Sequence, residues 1–320
     1  MPFTGILGQD NSIAVLSRSL SADRIAHAYL FDGIEGCGKK KTAIAFIEAV
    51  FCGQSEGCGI CRACRKLAAG QHPDLHLVEP DGSFIKIDQI RELQRELAFR
   101  PFEAPKKACI IDAVDRLNLA AGNALLKTLE EPPGNALMIL ITDNPGGVLP
   151  TILSRCQRLH FSALPEATIA ALLRETGVKA EAARIIASLS GGSMRKAIDI
   201  GEETALHDRM SFLQRICSLS LGDITPLFAI AEELSVDREK TLELLELLTA
   251  FQREALLLQN GCTEIINSDL LPLIEREAAD MSGENIMARI DHVAATRRAI
   301  LSNVNPRLAL DLLFMRLARD

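Results

Sequence analysis

The chain has no tryptophan and one tyrosine among 320 residues. A protein that holds single-stranded nucleic acid by stacking bases on aromatic rings needs more such platforms. Excess positive charge is also missing, with 35 Lys and Arg against 42 Asp and Glu and a net charge of −7. Sequence-blind DNA binding draws its affinity from many Lys and Arg against phosphates, so any DNA contact here has to be local. No run approaches 18 uninterrupted apolar residues, which excludes a transmembrane helix. The opening MPFTGILGQD lacks the basic region and apolar stretch of a signal peptide. What is present is 48% hydrophobic and 24% charged residues, enough for ordinary buried cores. A cytoplasmic, soluble protein of two or three domains with no membrane partner is expected.

Up to residue 163, short apolar runs alternate with helical stretches. Ala28–Phe31, Leu75–Val78, Ala108–Asp112, Ala136–Thr142 and Arg158–Phe161 read as strands. Lys39–Phe51, Gln89–Phe99 capped by Asp88, and Asn118–Glu131 stopped by Pro132-Pro133 read as helices. Such alternation predicts an α/β domain with a parallel sheet covered by helices. Beyond Leu164-Pro165 nearly everything is helical. A break over Gly201–Asp208 divides this half into a small piece, 164–206, and a larger one, 207–320. The run TLELLELLTAFQREALLLQ (Thr241–Gln259) is so rich in leucine that it has to pack on two faces.

Gly33-Ile-Glu-Gly36-Cys-Gly38-Lys39-Lys40 follows the first strand and opens a helix. Gly33, Gly38 and Lys39 fit the phosphate-loop pattern G-x-x-x-x-G-K-[ST]. In that loop backbone N–H groups and a lysine cradle phosphate at a helix N-terminus. The last position, which should ligate Mg²⁺ through a hydroxyl, is Lys40, and Thr42 comes two places too late. Asp112 ends the strand ACIID as a metal-supporting acid should, but the next residue is Ala113 where a Glu would activate water. The pattern predicts the fold of a P-loop NTPase with its chemistry disabled. ATP and Mg²⁺ at this site are therefore doubtful.

Four of the nine cysteines, Cys52, Cys58, Cys61 and Cys64, fall within thirteen residues as C-x₅-C-x₂-C-x₂-C. Four thiolates with this spacing suit a closed structural Zn²⁺ site, a module over 52–64. Arg62, Arg65 and Lys66 offset its charge. Four unrelated thiols and a redox C-x-x-C pair are the alternatives.

Other motifs join these: His27-Ala28-Tyr29-Leu30-Phe31, His72-Pro73-Asp74, Asn123-ALLKTLEEP-Pro133, Ser154-Arg155-Cys156 and Asn303-Val-Asn-Pro-Arg307. Together with the loop and the cysteines they resemble the AAA+ clamp-loader subunits of bacterial DNA polymerase III, over nearly the whole chain. The resemblance implies an AAA+ domain (1–163), a helical lid (164–206) and an all-α collar (207–320) that holds a five-subunit ring together. It implies partnership with gamma/tau ATPase and delta subunits and, through the complex, with the sliding clamp and primer-template DNA. Lys40 and Ala113 favour the family's non-hydrolysing, stator role over its ATP-hydrolysing motor subunit. In the family the SRC arginine, here Arg155, reaches into a neighbour's ATP site, with a structural salt bridge as its alternative. Thr142 and Arg195 match nucleotide sensors, and Arg195 is equally able to bind an Asp or Glu. The other readings are a slow ATPase using Asp115 or a water-bridged metal, and a zinc-containing DNA-binding factor on an inert AAA+-like scaffold. The acidic balance counts against the last.

Overall fold

In the computed structural model, residues 3–53, 57–134, 136–201, 203–262 and 265–318 are described. Five parallel strands make one sheet: β1 (Ala28–Gly33), β2 (Leu75–Val78), β3 (Ala108–Ile111), β4 (Leu137–Thr142) and β5 (Gln157–Phe161). Their order is β2-β3-β4-β1-β5. α1 (Asp10–Ser21) precedes β1, and between the strands run α2 (Lys39–Phe51), α3 (Arg62–Ala68), α4 (Ile87–Ala98), α5 (Leu119–Glu130) and the single turn α6 (Pro150–Leu153).

The central strands β3, β4 and most of β1 are apolar because both faces of the sheet are covered there, while edge strand β5 buries only Leu159 and Phe161. Ala28 and Leu30 of β1, Cys109 and Ile111 of β3, and Met138 and Leu140 of β4 pack with Ile90, Leu93 and Leu97 of α4 and Leu125 and Leu129 of α5. The alternate residues, Tyr29, Phe31, Ile110, Ile139 and Ile141, pack with Leu16 of α1 and Phe46 and Ile47 of α2. Tyr29 meets Phe46 edge to face at 5.4 Å, and its hydroxyl accepts the Ala26 N–H at 3.0 Å, so its polar end is satisfied. Each large apolar side chain sunk this way stabilises the sheet by roughly 1.5–3 kcal/mol.

Parallel register places the loops after β1, β3 and β4 at one edge of the sheet, since Leu30 faces Leu140 and Leu140 faces Ile111. Asp88 does not cap α4. The helix starts two residues earlier, after extended Lys86, whose N–H donates to Gln89 Oε1 at 2.9 Å, and Asp88 sits in the first turn.

The remainder is α7 (Glu166–Glu175), α8 (Ala180–Leu189), α9 (Met194–Ile200), α10 (Glu203–Cys217), α11 (Thr225–Leu234), α12 (Arg238–Gln259), α13 (Leu271–Asp280), α14 (Gly283–Leu301) and α15 (Pro306–Leu317), besides short 3-10 turns. The chain divides into two compact units, Met1–Leu172 with Ser190–Lys196, and Leu173–Leu189 with Ala197–Asp320. The break expected across 201–208 is narrower, because α9 ends at Ile200 and α10 begins at Glu203. Within the second unit the leucine-rich α12 buries Leu245, Leu248, Phe251 and Ala255. It also buries Gln252, whose amide donates to Glu277 Oε1 at 2.9 Å, while Arg289 Nη1 pairs with the same oxygen at 2.7 Å. The Asn303–Arg307 motif is a turn: Asn303 takes a left-handed φ of 64°, and Asn305 Oδ1 caps α15 by accepting the Leu308 N–H at 3.3 Å. No helix among the described residues is long and apolar enough to cross a membrane.

Candidate functional site

The phosphate loop leaves β1 at Gly33 and enters α2 at Lys39. Gly36 and Gly38 have φ of 75° and 101°, conformations that only glycine adopts without strain. Gly36 is also crowded, since a Cβ there would lie 2.8 Å from the Arg195 backbone nitrogen. The Gly36 carbonyl accepts the Met194 N–H at 3.2 Å, so the turn before α9 lies directly on the loop. Lys39 is buried and turned inward. Its Nζ donates to the carbonyls of Gly33 and Ile34, both at 2.6 Å, and pairs with Asp143 Oδ1 at 2.7 Å.

Lys40 decides the character of the site. Its ammonium lies 3.3 Å from Asp112 Oδ2 and also pairs with Glu79, just beyond β2. Burial opposes that charge, but Glu79 and Asp112 outweigh it and raise the Lys40 pKa above its ordinary value. A fixed cation thus stands on the acid that would support Mg²⁺. Thr42, two positions further on, is fully buried, with its hydroxyl donating to the Gly38 carbonyl at 2.9 Å. A magnesium ion does not fit this set of residues. Ala113, at the position of the absent Glu, has φ 54° and ψ 53°, a left-handed conformation that costs an alanine about 1 kcal/mol or more.

Thr142 donates to Asp115 Oδ1 at 2.6 Å and accepts the Asn144 N–H at 3.0 Å, which ties Asp115 to the sheet edge. Arg195 Nε lies 3.4 Å from Glu35 Oε1, and Ser193 Oγ accepts the Lys196 N–H at 3.2 Å, capping α9. The chain therefore brings Gly33, Gly36, Gly38, Lys39, Asp112, Thr142 and Arg195 to one edge of the sheet. Arg155 stands on a separate loop after α6, its Nη2 2.6 Å from Glu130 Oε1.

The sulfurs of Cys52, Cys58, Cys61 and Cys64 all lie within 4.8 Å of one another. Four sulfurs at 2.3 Å from a tetrahedral ion are about 3.8 Å apart. The Cys58–Cys64 and Cys61–Cys64 sulfur distances of 3.9 and 3.3 Å bracket that value. The Cys61 and Cys64 N–H groups donate to the sulfurs of Cys58 and Cys61, both at 3.4 Å, and the Cys64 N–H lowers the Cys61 pKa. These four thiols fit a metal such as zinc.

Arg62 and Lys66, expected to offset the cluster's charge, turn instead to Glu103, at 3.7 and 2.5 Å. Glu103 is held by Asp74 of the His72-Pro73-Asp74 motif. The Asp74 carboxylate is fully buried and accepts the N–H groups of Phe102, Glu103 and Ala104 at 2.7, 2.8 and 2.8 Å. Burial raises its pKa, and these donors more than reverse the effect, leaving it below the ordinary 3.8. Glu79, Asp143, Glu35, Glu130 and Glu103 were not legible as partners in the sequence. No spacing rule links residues tens of positions apart.

The profile of the DNA polymerase III delta subunit family matches residues 8–165, and that of its C-terminal region matches 203–318. Subunit delta' of DNA polymerase III from Bacillus subtilis is 33% identical over 304 residues, covering 93% of this chain and 92% of that protein. The chain belongs to the DNA polymerase III delta' family. A gamma/tau subunit from Mycobacterium tuberculosis is 36% identical over 208 residues, 62% of this chain. The delta' family chain spans only 36% of that longer relative. A gamma subunit-related structure from Thermotoga maritima superposes with a TM-score of 0.50 at 20% identity, covering 94% of this chain and 98% of its own. That likeness shows the fold alone, a parallel-sheet domain followed by helices.

Proposed function

We propose that this delta' family chain is a non-hydrolysing, stator subunit of the cytoplasmic clamp loader. It donates Arg155 to the ATP site of a neighbouring gamma/tau subunit and, with gamma/tau and delta, helps load the sliding clamp on primer-template DNA. The observation that carries this reading is the Lys40 ammonium 3.3 Å from Asp112, which occupies the place of the metal. A site with its own fixed cation and without a catalytic Glu has lost the electrostatic parts of phosphoryl transfer. Arg155 keeps a planar, always-charged guanidinium, 36% exposed, on a surface loop.

In the same reading residues 164–206 form the lid and 207–320 the collar. An exposed apolar stripe on α15, Leu308, Leu312 and Met315, lies at helical spacing and suits packing against other subunits. The cysteine cluster holds structural zinc that stiffens the segment docked on Glu103.

The test is reconstitution with Arg155→Ala. The complex is expected to assemble and to hydrolyse ATP more slowly in the presence of primed DNA, by up to the roughly 10³-fold lower bound seen for GTPase arginine fingers at the affected site. Unchanged turnover in a correctly assembled complex removes the assignment.

A further inference from the structure

Arg155 is fastened at both ends. Besides the 2.6 Å ion pair with Glu130, its Nη1 donates to the Thr151 carbonyl at 3.0 Å and to Ser154 Oγ at 3.3 Å. Glu130 is the last residue of α5, where the helix's own terminal carbonyls make a negative side chain unfavourable. The guanidinium offsets that penalty. The helix carrying Glu130 is itself fixed, because Leu125 and Leu129 are buried and Gln94 Nε2 donates to Ala124 O at 3.0 Å and Thr128 Oγ1 at 2.8 Å. The loop carrying Arg155 is drawn onto the same helix at Gly122, where an added methyl would stand 2.8 Å from Leu149 Cδ1. Helix and loop are thus both set so that carboxylate and guanidinium meet.

We propose that Glu130 is the resting counter-ion of Arg155, a positioning residue that holds the guanidinium until a phosphate group bound by the neighbouring subunit replaces it. This rests on the assignment of Arg155 made above. In the chain by itself Arg155 is 36% and Glu130 49% exposed, so water solvates both. A neighbour that covers them removes that water, and an uncompensated guanidinium in such an interface is costly. Glu130 supplies the compensating charge before nucleotide arrives. While they are paired, guanidinium and carboxylate together are neutral, so a second anion meets little net attraction. A terminal phosphate, with more charge and three acceptor oxygens, outcompetes one carboxylate. The finger engages by exchanging one anion for another, and Glu130 sets the nucleotide concentration at which the exchange occurs.

Glu130→Gln keeps the shape and removes the charge. In the reconstituted complex, DNA-stimulated hydrolysis is measured across ATP concentrations. Half-exposed ion pairs of this kind correspond to a shift of about 1.5- to 5-fold. The half-saturating ATP concentration is expected to fall by about that factor, and Glu130→Asp to restore it toward wild type. In an Arg155→Ala background the same change should have no effect on half-saturation. Unchanged ATP dependence in Glu130→Gln overturns the proposal. So does a lower rate at saturating ATP with half-saturation unmoved, which means that the carboxylate supports the transition state. If Arg155→Ala alone leaves hydrolysis unchanged, the finger assignment has failed and the exchange falls with it.

Discussion

Replacing Lys40 by threonine puts back the hydroxyl that the phosphate-loop pattern requires and removes the built-in cation. The consequences follow from the contacts of one ammonium. Lys40 pairs with Glu79 and lies 3.3 Å from Asp112, with 39% of its side chain exposed. Pairs this exposed are screened by water and contribute about 0.2–1 kcal/mol each. The substitution therefore costs ~0.5–2 kcal/mol and leaves two carboxylates without their shared cation. A loss of about 1 kcal/mol lowers Tm by roughly 2–4 °C for a unit of 150–250 residues. Asp112 and the new hydroxyl then offer oxygen ligands to a divalent ion, and binding to the folded state alone restores stability. The assay is thermal unfolding of wild type and Lys40→Thr with and without millimolar Mg²⁺. Wild type should be indifferent to Mg²⁺, and the variant should start lower and recover as Mg²⁺ is added. Mg²⁺ stabilisation of wild type that Asp112→Asn abolishes would refute the reasoning, because it would mean that metal binds beside Lys40.

Two further predictions concern the segment around the cysteines. Cys61→Ser should release bound metal and lower stability, checked by metal analysis of freshly purified protein, where wild type should hold one zinc per chain. Asp74→Asn should lose about 1.5–3 kcal/mol at neutral pH, since charged acceptors of backbone N–H groups contribute that much when buried. Its pH dependence has a definite sign. The folded Asp74 pKa lies below the ordinary 3.8, so the stabilisation is complete above that value and is lost as pH falls through the folded pKa. The stability gap between wild type and Asp74→Asn, followed by denaturant unfolding, should therefore be constant above about pH 5 and close below about pH 4.

Features written in local pattern were legible in the sequence. Gly38 followed by a helical run places α2 at Lys39–Phe51, as expected. Apolar runs placed β1, β3 and β4 to within two residues, because central strands buried on both faces show little polar alternation, and the alternating edge strands β2 and β5 were placed to within one. Cysteine spacing identified four sulfurs that do converge. The loss of a metal hydroxyl at Lys40 could be read, but its pairing with Glu79, 39 positions away, could not. The same holds for Asp74, whose three acceptor bonds fold residues 102–104 around a buried carboxylate. No motif singles out His160, yet its Nδ1 lies 2.9 Å from the buried Asp32, which Arg158 also holds. Each of these depends on the order of strands in the sheet, which decides which loop ends meet and is not encoded within any one segment. The Asp88 cap failed for a different reason. The residue type was right for a cap, but the Lys86–Gln89 bond started the helix sooner.

The central claim is that this chain contributes an arginine to a neighbour's chemistry and performs none of its own. The most direct measurement is ATP hydrolysis by a complete complex on primed DNA, in which the partner ATPase subunits carry an inactivated phosphate-loop lysine and this chain is wild type. The account predicts no turnover above that of the same complex carrying Asp112→Ala in this chain. Turnover that requires Lys39 or Asp112 of this chain would contradict it and make the chain a motor subunit.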